Sequence, residues 1–417
     1  MRNKAKITGI IIGSTALIFF VSSFVFPSNE SYSNTVNIIQ PEIVKQKEIQ
    51  HLKTPEPLKG IYMTQCVASM PSLREKLAKL IGETELNAVV IDIKDYSGTV
   101  SFQTGNSEID TLNKNATGCK VADMPKLVEE LHSKNIYVIG RVTVFQDPLY
   151  VKAHPELAVK RKPSSAKASA GESDLTIWKD RKGISYVDVG AKPFWDHIIA
   201  IATSSYVIGF DEINFDYIRF PSDGDMTDIA FTHTGTTTKR EMLRQFFAYL
   251  DSKLSDTGLV TSADLFGMTT TNIDDLNIGQ VLEYALMNFD YVSPMVYPSH
   301  YPPTFNGWPD PNKVPYEIVK FSMDAAVART KFLRSEISTT TTVLVNGVIK
   351  TNPPDTHLMK RINPLQLRPW LQDNDYPVPY TPTMVRAQIQ ATYDAGLTSW
   401  MLWDPANTYT KEALLPE

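Results

Sequence analysis

Residues 209–222 of the 417-residue chain read GFDEINFDYIRFPS. Polar and apolar side chains alternate from Glu212 to Asp216, which predicts a β-strand with one packed face and one polar face. Pro221 cannot donate a hydrogen bond to a neighbouring strand and a turn signal follows it, so Asp216 lies close to the C-terminal end of the strand. Barrels of parallel strands carry their chemistry at these ends. The function therefore depends on which side chains other strands bring to the same end.

The composition is that of an ordinary globular protein able to bury a large core, with 42% hydrophobic and 21% charged residues. The formal net charge is -5, and positive residues cluster only at the extreme N-terminus and around residues 160–167. We therefore expect no nucleic-acid partner. The two cysteines, Cys66 and Cys119, either pair in an oxidising compartment or remain buried free thiols. No Walker loop, dinucleotide fingerprint or nucleophile elbow occurs, and we expect no cofactor.

The N-terminus has the order of an export signal. Arg2, Lys4 and Lys6 precede a mostly apolar run from Ile7 to Phe26, which is near the ~20 residues that span a bilayer. We expect residues 1–26 to be an uncleaved signal anchor rather than a cleaved signal peptide, with the following domain outside the cell. The protein would then be a single-pass membrane protein, or a secreted one if the segment is cleaved.

The rest of the chain divides into a linker and one large domain. Residues 27–57 are rich in polar residues and proline with no sustained period, which predicts a linker. Strand-like segments then alternate with helical patterns over residues 58–417. This order predicts an α/β fold, a (β/α)8 TIM barrel, with an open doubly wound sheet as the alternative. The predicted strands are 60–64, 88–95, 137–144, the strand within 209–222, 259–267, 290–297, 367–373 and 398–404.

Two features qualify this prediction. The prolines of the sixth and seventh strands, Pro294 and Pro369, each remove a ladder hydrogen bond. Two segments also have the character of insertions. Residues 160–173 have loop composition, and residues 338–350 resemble a β-hairpin with an Asn-Gly turn.

Carboxylates follow several of the predicted strands. Asp216 and Asp264 end neighbouring strands, and two carboxyl groups across a cleft can divide the roles of protonated acid and ionised nucleophile or base. Cleavage of a glycosidic bond needs this division, so we expect them to be the catalytic pair. The expected substrate-binding residues at the same barrel mouth are Asp92, Lys94, Arg141, Asn214, Arg219, Tyr297, His300, Trp370, Asp373 and Trp403.

Several residues at the strand ends also have a structural interpretation. Asp95, Asp373 and Asp404 have the positions of turn formers or helix caps. Arg141 has the position of a counter-ion for Asp92 or Glu212, and the aromatic residues are often simply packed. His300 has no partner at metal-ligand spacing, and we expect no metal site.

Several segments in order carry a resemblance to a known family: residues 59–62, 88–95 with 97–98, 136–142 with 145–148, 154–159, 178–183, 210–222, 262–267, 293–301, 368–373 and 400–404. Together they are similar to the bacterial putative glycoside hydrolase domain family, formerly classed as a domain of unknown function. The resemblance implies a TIM-barrel fold like that of glycosidases and names no substrate.

Residues 209–217 also look like a chitinase signature, from which they depart at two places. Ile218 stands where chitinases have the catalytic glutamate, and Asn214 replaces an acid. The stretch is more similar to α-amylase-like barrels, and this likeness implies Asp216 as nucleophile and Asp264 as acid/base. We therefore expect an exported glycoside hydrolase acting on a polysaccharide. The alternative is a non-catalytic barrel that binds carbohydrate or a cell-envelope partner.

Overall fold

The computed structural model of the protein describes residues 49–162, 176–339, 341–345, 348–352 and 355–417. Eight strands form a closed barrel, as the sequence predicts. Each strand is parallel to both neighbours and follows the order of the chain, with β8 closing the barrel against β1. The strands are β1 (Lys59–Met63), β2 (Ala88–Lys94), β3 (Tyr137–Thr143), β4 (Glu212–Asp216), β5 (Val260–Phe266), β6 (Tyr291–Met295), β7 (Trp370–Gln372) and β8 (Trp400–Trp403).

Helices separate the strands along the chain, which confirms the (β/α)8 TIM barrel. Apolar residues that recur every three or four positions form one face of a helix, and this face packs on the barrel. The helix α2 illustrates this, since Leu77 and Ile81 are buried. The helices are α1 (Gln65–Ser69), α2 (Pro71–Gly82), α3 (Ser107–Asn113), α4 (Met124–His132), α5 (Pro148–Ala153), α6 (Lys192–Val207), α7 (Lys239–Leu254), α8 (Leu282–Asn288), α9 (Pro315–Ser338), α10 (Thr356–Arg361) and α11 (Pro382–Asp394).

The core has two parts because successive strand residues point to opposite faces. Val89 and Ile91 of β2 belong to the large cluster between barrel and helices. Val90, between them, belongs to a smaller cluster inside the barrel, together with Tyr62 and Trp370. Apolar packing therefore fills part of the barrel interior, and polar groups occupy its C-terminal end.

The prolines of the sixth and seventh strands shorten one ladder. Pro294 lies within β6, and Pro369 directly precedes β7. Trp370 and Met295 are the one residue pair in register between these two strands. Both predicted strands are confirmed, and the missing N–H groups account for the brevity of their contact.

The predicted insertions are partly described. Lys160–Arg161 forms a short antiparallel ladder with Ile229–Ala230, so the expected loop begins as a strand, while residues 163–175 lie outside the described residues. The predicted hairpin is confirmed by antiparallel strands at Thr341–Val345 and Val348–Asn352. Its Asn-Gly turn, residues 346–347, lies outside the described residues.

A disulfide joins Cys66 in α1 to Cys119. Of the two states left open by the sequence, the structure shows the paired one. The bond spans 53 residues of chain, which contain β2 and α3. It therefore ties the loops around β2 to each other.

The first residue that the structure describes is Ile49. The predicted signal segment, residues 1–26, lies outside the described residues. Within the residues that are described, no helix combines the length and the apolar character needed to cross a bilayer. Residues 49–57, the end of the predicted linker, contact the N-terminal end of the barrel, where Leu52 N donates to Asp211 Oδ1 at 2.6 Å.

Candidate active site

The register of the barrel brings Asp216 and Asp264 together. Phe215 of β4 and Ala263 of β5 are partners in the parallel ladder. The next residue on each strand, Asp216 and Asp264, therefore points to the opposite face at the same height, into the barrel mouth. Both side chains are buried.

Arg141 of β3 connects the acidic side chains. Its Nη1 donates to Asp92 Oδ1 at 2.6 Å, and its Nε and Nη2 both donate to Asp216 Oδ2, the former at 3.1 Å. Burial alone lowers the pKa of Arg141, but Asp216 and Asp92 outweigh it and hold the pKa well above its usual value. The guanidinium is therefore a permanent cation shared by two carboxyl groups.

Asp264 lies in a different environment from Asp216. Its Oδ1 accepts hydrogen bonds from Asn214 Nδ2 at 2.9 Å and Trp370 Nε1 at 2.8 Å, and the residue is 1% exposed. Burial and then the charge of Asp216 raise the pKa of Asp264 well above its usual value. These influences favour a protonated Asp264 beside the charge-paired Asp216.

One arginine nitrogen limits the separation of the two acids. Arg141 Nε lies 3.1 Å from Asp216 Oδ2 and 3.9 Å from Asp264 Oδ2, so these oxygens are at most about 7 Å apart. Pairs of glycosidase carboxyl groups are separated by about 5–5.5 Å in retaining enzymes and about 6.5–9.5 Å in inverting enzymes. The two aspartates are therefore close enough to act on one bond.

The two aspartates line one cavity of about 230 Å³ at the C-terminal ends of the strands. This volume lies below the ~300 Å³ of small drug-sized sites, so the cavity encloses only part of an extended ligand. Its lining residues are Arg141, Asp216, Tyr217, Arg219, Asp264, Phe266, Gly267, Met295, Tyr297, His300 and Trp403.

Aromatic rings border this cavity. Trp403 stacks on Tyr62 with ring centroids 4.1 Å apart, and the Arg141 guanidinium carbon lies 5.3 Å from the Trp403 ring centroid. The Tyr62 hydroxyl also donates to Asp92. Next to Trp403, with ring centroids 6.3 Å apart, Tyr297 meets the exposed His300 edge to face at 5.1 Å. The cavity therefore combines charged groups with apolar faces of the kind on which sugar rings stack.

The backbone turns sharply directly after Asp216. Tyr217 has a φ of 52°, which is the left-handed region that residues with a side chain rarely adopt. Its N–H donates to Asp216 Oδ1 at 2.5 Å. Such strain concentrates at functional sites, and the hydrogen bond from Tyr217 N helps to orient the Asp216 carboxyl group.

The model of the family described as "Putative glycosyl hydrolase domain" matches residues 60–341 and 343–409. The chain belongs to this family. The match covers the barrel almost from end to end and confirms the resemblance found in the sequence. A comparison with curated proteins gave no match.

Solved structures with a similar fold include glycoside hydrolases. The glycoside hydrolase domain of PgaB (BpsB) from Bordetella bronchiseptica is 13% identical, covers 86% of this chain and 99% of its own, and has a TM-score of 0.53. A hypothetical protein from Ruminiclostridium thermocellum ATCC 27405 is 31% identical over 52% of this chain and 98% of its own, with a TM-score of 0.42. The alpha-galactosidase TtGalA from Thermus thermophilus is 9% identical over 88% of this chain and 61% of its own, with a TM-score of 0.48.

The predicted site residues of this glycosyl hydrolase domain fall into three groups. Seven line the cavity, and three lie directly behind it, where they hold Arg141 or Asp264. The remaining two, Lys94 and Asp373, lie elsewhere. The cavity group is Arg141, Asp216, Arg219, Asp264, Tyr297, His300 and Trp403; the supporting group is Asp92, Asn214 and Trp370.

Lys94 does not reach the cavity, contrary to its predicted position. The register between β2 and β3 shifts after Asp92, and Lys94 is fully buried with its Nζ 2.9 Å from Asp147 Oδ2. Asp373 is also absent from the cavity wall, because its two carboxyl oxygens accept from Thr410 N and Oγ1 at 2.9 and 2.6 Å. Asp373 thus anchors a loop, which is the structural interpretation considered from the sequence.

Sequence reasoning missed four residues that line the cavity: Tyr217, Phe266, Gly267 and Met295. Each ends or directly follows an observed strand, since Phe266 and Met295 end β5 and β6, and Tyr217 and Gly267 follow β4 and β5. Gly267 is required there because an added Cβ would lie 2.4 Å from Met295 O. The described residues contain no group of three or more His, Cys, Asp or Glu side chains placed to hold a metal.

A larger cavity of about 790 Å³ lies at the opposite end of the barrel. Val260 and Tyr291, the first residues of β5 and β6, are part of its wall. The N-terminal ends of barrel strands usually serve stability, whereas the C-terminal ends carry catalysis. The smaller cavity, which contains the paired acids, is therefore the candidate active site.

Proposed function

We propose that the protein is an exported glycoside hydrolase that cleaves O-glycosidic bonds of a polysaccharide. Asp264 is the general acid, and Asp216 is the partner carboxylate. The observation that carries this proposal is the pair itself, two aspartates of unlike environment in one cavity at the C-terminal end of the barrel. Membership of the glycosyl hydrolase domain family supports the same class of reaction.

The proposed reaction assigns one role to each carboxyl group. The Asp264 proton passes to the oxygen of the leaving sugar as the bond between this oxygen and the anomeric carbon breaks. Asp216 either bonds to the anomeric carbon, a bond that water then cleaves as it gives its proton back to Asp264, or takes the proton of a water whose oxygen bonds to that carbon. The raised pKa of Asp264 supports the acid role because the proton must be present at the start.

The remaining cavity residues have binding roles in this proposal. Tyr297 and Trp403 offer ring faces to the sugar. Asp92 holds Arg141, while Asn214 and Trp370 hold Asp264. Asn214 and Trp370 thus fix the acid in place without contacting substrate.

A second candidate function rests on the burial of the same pair. Asp264 is 1% exposed, and its Oδ1 already accepts two hydrogen bonds. A general acid must reach the glycosidic oxygen within hydrogen-bond distance. If the site does not open, the barrel binds carbohydrate without turnover.

The proposed location is the outer face of the cell membrane, with residues 1–26 as signal anchor. The disulfide between Cys66 and Cys119 supports export, because such bonds persist mainly in oxidising compartments.

Hydrolysis of a glycan panel by the full-length protein tests the enzymatic proposal. We expect new reducing ends from at least one polysaccharide, and their loss in Asp264→Asn. Asparagine can still accept the Trp370 hydrogen bond, so the melting temperature should change little. Asp223→Asn is the matched control, since Asp223 pairs with the exposed Arg181 outside the cavity. Retained activity in Asp264→Asn would contradict the assignment, and glycan binding without reducing ends would favour the binding module.

A further inference from the structure

Arg219 is a cation in the cavity that has no anionic partner among the described residues. It is 9% exposed and lines the same cavity as Asp216 and Asp264. Its hydrogen bonds within the described chain are from Nη1, to Phe220 O at 3.2 Å and Ser222 Oγ at 2.9 Å. A nearly buried guanidinium that meets only neutral oxygens lacks the counter-charge that such groups normally have.

Two aromatic rings hold this guanidinium in place. Its central carbon lies 4.9 Å from the Tyr217 ring centroid and 4.9 Å from the Phe266 ring centroid. Attraction to the ring faces offsets part of the lost hydration. With Nη1 occupied, the edge formed by Nε and Nη2 makes no hydrogen bond to the described residues.

The acids of the cavity do not supply the missing charge. Arg141 already bonds to both Asp92 and Asp216. Burial and the charge of Asp216 raise the pKa of Asp264, which favours its neutral form. The cavity wall therefore contains a matched group around Arg141 and a separate, unmatched cation at Arg219.

We infer that Arg219 binds a carboxylate of the substrate, so that the polysaccharide carries an acidic sugar next to the bond that is cleaved. This inference rests on the proposed function and names its substrate class. Two parallel N–H groups on one edge of a guanidinium match the two oxygens of a carboxylate. The carboxylate belongs either to a uronic acid or to a sugar with a carboxylated ether substituent, as in muramic acid.

Binding of matched acidic and neutral glycans tests the inference. The full-length Asp264→Asn protein binds without hydrolysis and keeps the neutral character of that site. The probes are oligosaccharides of polygalacturonate, alginate and hyaluronan and muramic-acid-containing glycan strands, each compared with its carboxyl-reduced form. We expect at least one acidic glycan to bind about tenfold or more tightly than its reduced form, because a hydrogen bond to a charged group is at stake. The uronate and muramate arms separate the two sources of the carboxylate.

Arg219→Met in the same background should remove this preference while keeping the side-chain stem between the two rings. Arg219→Lys should keep part of it, which guards against a loss of fold. Arg181→Met is the matched control, since it removes an exposed arginine outside the cavity and should leave the preference intact. Unfolding curves must show that the variants are folded.

The outcomes separate the inference from the proposed function. Equal binding of acidic and reduced forms, no binding of any acidic glycan, or an unchanged preference in Arg219→Met overturns the inference. Hydrolysis of a neutral polysaccharide by wild-type protein together with such a result leaves the hydrolase proposal standing. Arg219-dependent binding of an acidic glycan that the wild-type protein does not hydrolyse supports the carboxylate site at Arg219 and contradicts the hydrolase.

Discussion

Arg141 determines the electrostatics of the cavity at the scale of single residues. One guanidinium satisfies Asp92 and Asp216 and lies 3.9 Å from Asp264. Removing one partner of a buried ionic group lowers the free energy of unfolding more than replacing the whole group by apolar residues does. The reason is that the remaining charges lose their compensation. The same residue therefore affects both stability and the protonation of the proposed acid.

Arg141→Met should lower the free energy of unfolding by about 3–5 kcal/mol and abolish hydrolysis, because two buried carboxyl groups lose their cation. Urea unfolding and reducing-end assays measure the two effects. Arg368→Met is the matched control: Arg368 pairs with Glu212 at 2.9 Å at the other end of the barrel. It should be similarly destabilised yet active at temperatures where it is folded. A stable Arg141→Met protein would contradict the network.

Asp373→Asn should flatten the dependence of stability on pH between about pH 4 and 6. Burial raises the pKa of Asp373 from 3.8 to about 6. The folded state therefore keeps a proton that the unfolded state releases. The stabilisation is full below about pH 4 and is lost as the pH rises through about 6, a change on the order of 2–3 kcal/mol. Urea unfolding at several pH values measures it, and equal slopes in both proteins would refute the prediction.

At the scale of elements, the strand ends explain what the sequence could and could not predict. Apolar runs that end in polar residues gave all eight strands, and the position of Asp216 after Phe215 gave the acid pair. The directions in which individual side chains point were harder to predict from the sequence. The register shift after Asp92 turns Lys94 away, and nothing in the local pattern of β2 indicates such a shift. The partner of Trp370 Nε1 is likewise set by strands distant in sequence.

Gly267→Ala should lower the free energy of unfolding by about 1–3 kcal/mol, because the added methyl group overpacks the junction of β5 and β6. The ideal Cβ would lie 2.4 Å from Met295 O, a backbone atom. We also expect reduced hydrolysis, since Asp264 lies on the displaced strand. Gly82→Ala is the control, because no atom lies within 4 Å of its added Cβ. Unfolding curves and reducing-end assays of both variants test this; equal stability would contradict it.

At the scale of the whole molecule, the barrel follows a predicted membrane-targeting segment. The barrel and its family are shown, while the export signal remains a prediction from residues 1–26. The composition and the order of the charges in residues 1–26 predict targeting, but they do not predict whether the segment is cleaved. The disulfide was also undecided in the sequence, because pairing depends on the approach of α1 to the loop before α4.

Cell fractionation tests the signal segment. The full-length protein should sediment with membranes and be accessible to protease from outside. Leu17→Arg should weaken this association, since an arginine in the apolar run costs about 2.5–3.5 kcal/mol of insertion free energy. Ser33→Arg, in the predicted linker, is the matched control and should change nothing. Wild-type protein found only in the cytosol would contradict export.

In the proposed reaction, Asp264 gives a proton while Asp216 supplies the carboxylate. The most direct test of these roles is the rate at which each variant hydrolyses two aryl glycosides of the sugar found in the panel, one with a dinitrophenyl leaving group and one with phenyl. A dinitrophenyl group leaves without protonation. Asp264→Asn should therefore lower kcat/KM only for the phenyl glycoside, by about 100- to 10,000-fold, and Asp216→Asn should lower it for both. Equal slowing of both substrates by both variants, or none, would contradict the division of roles.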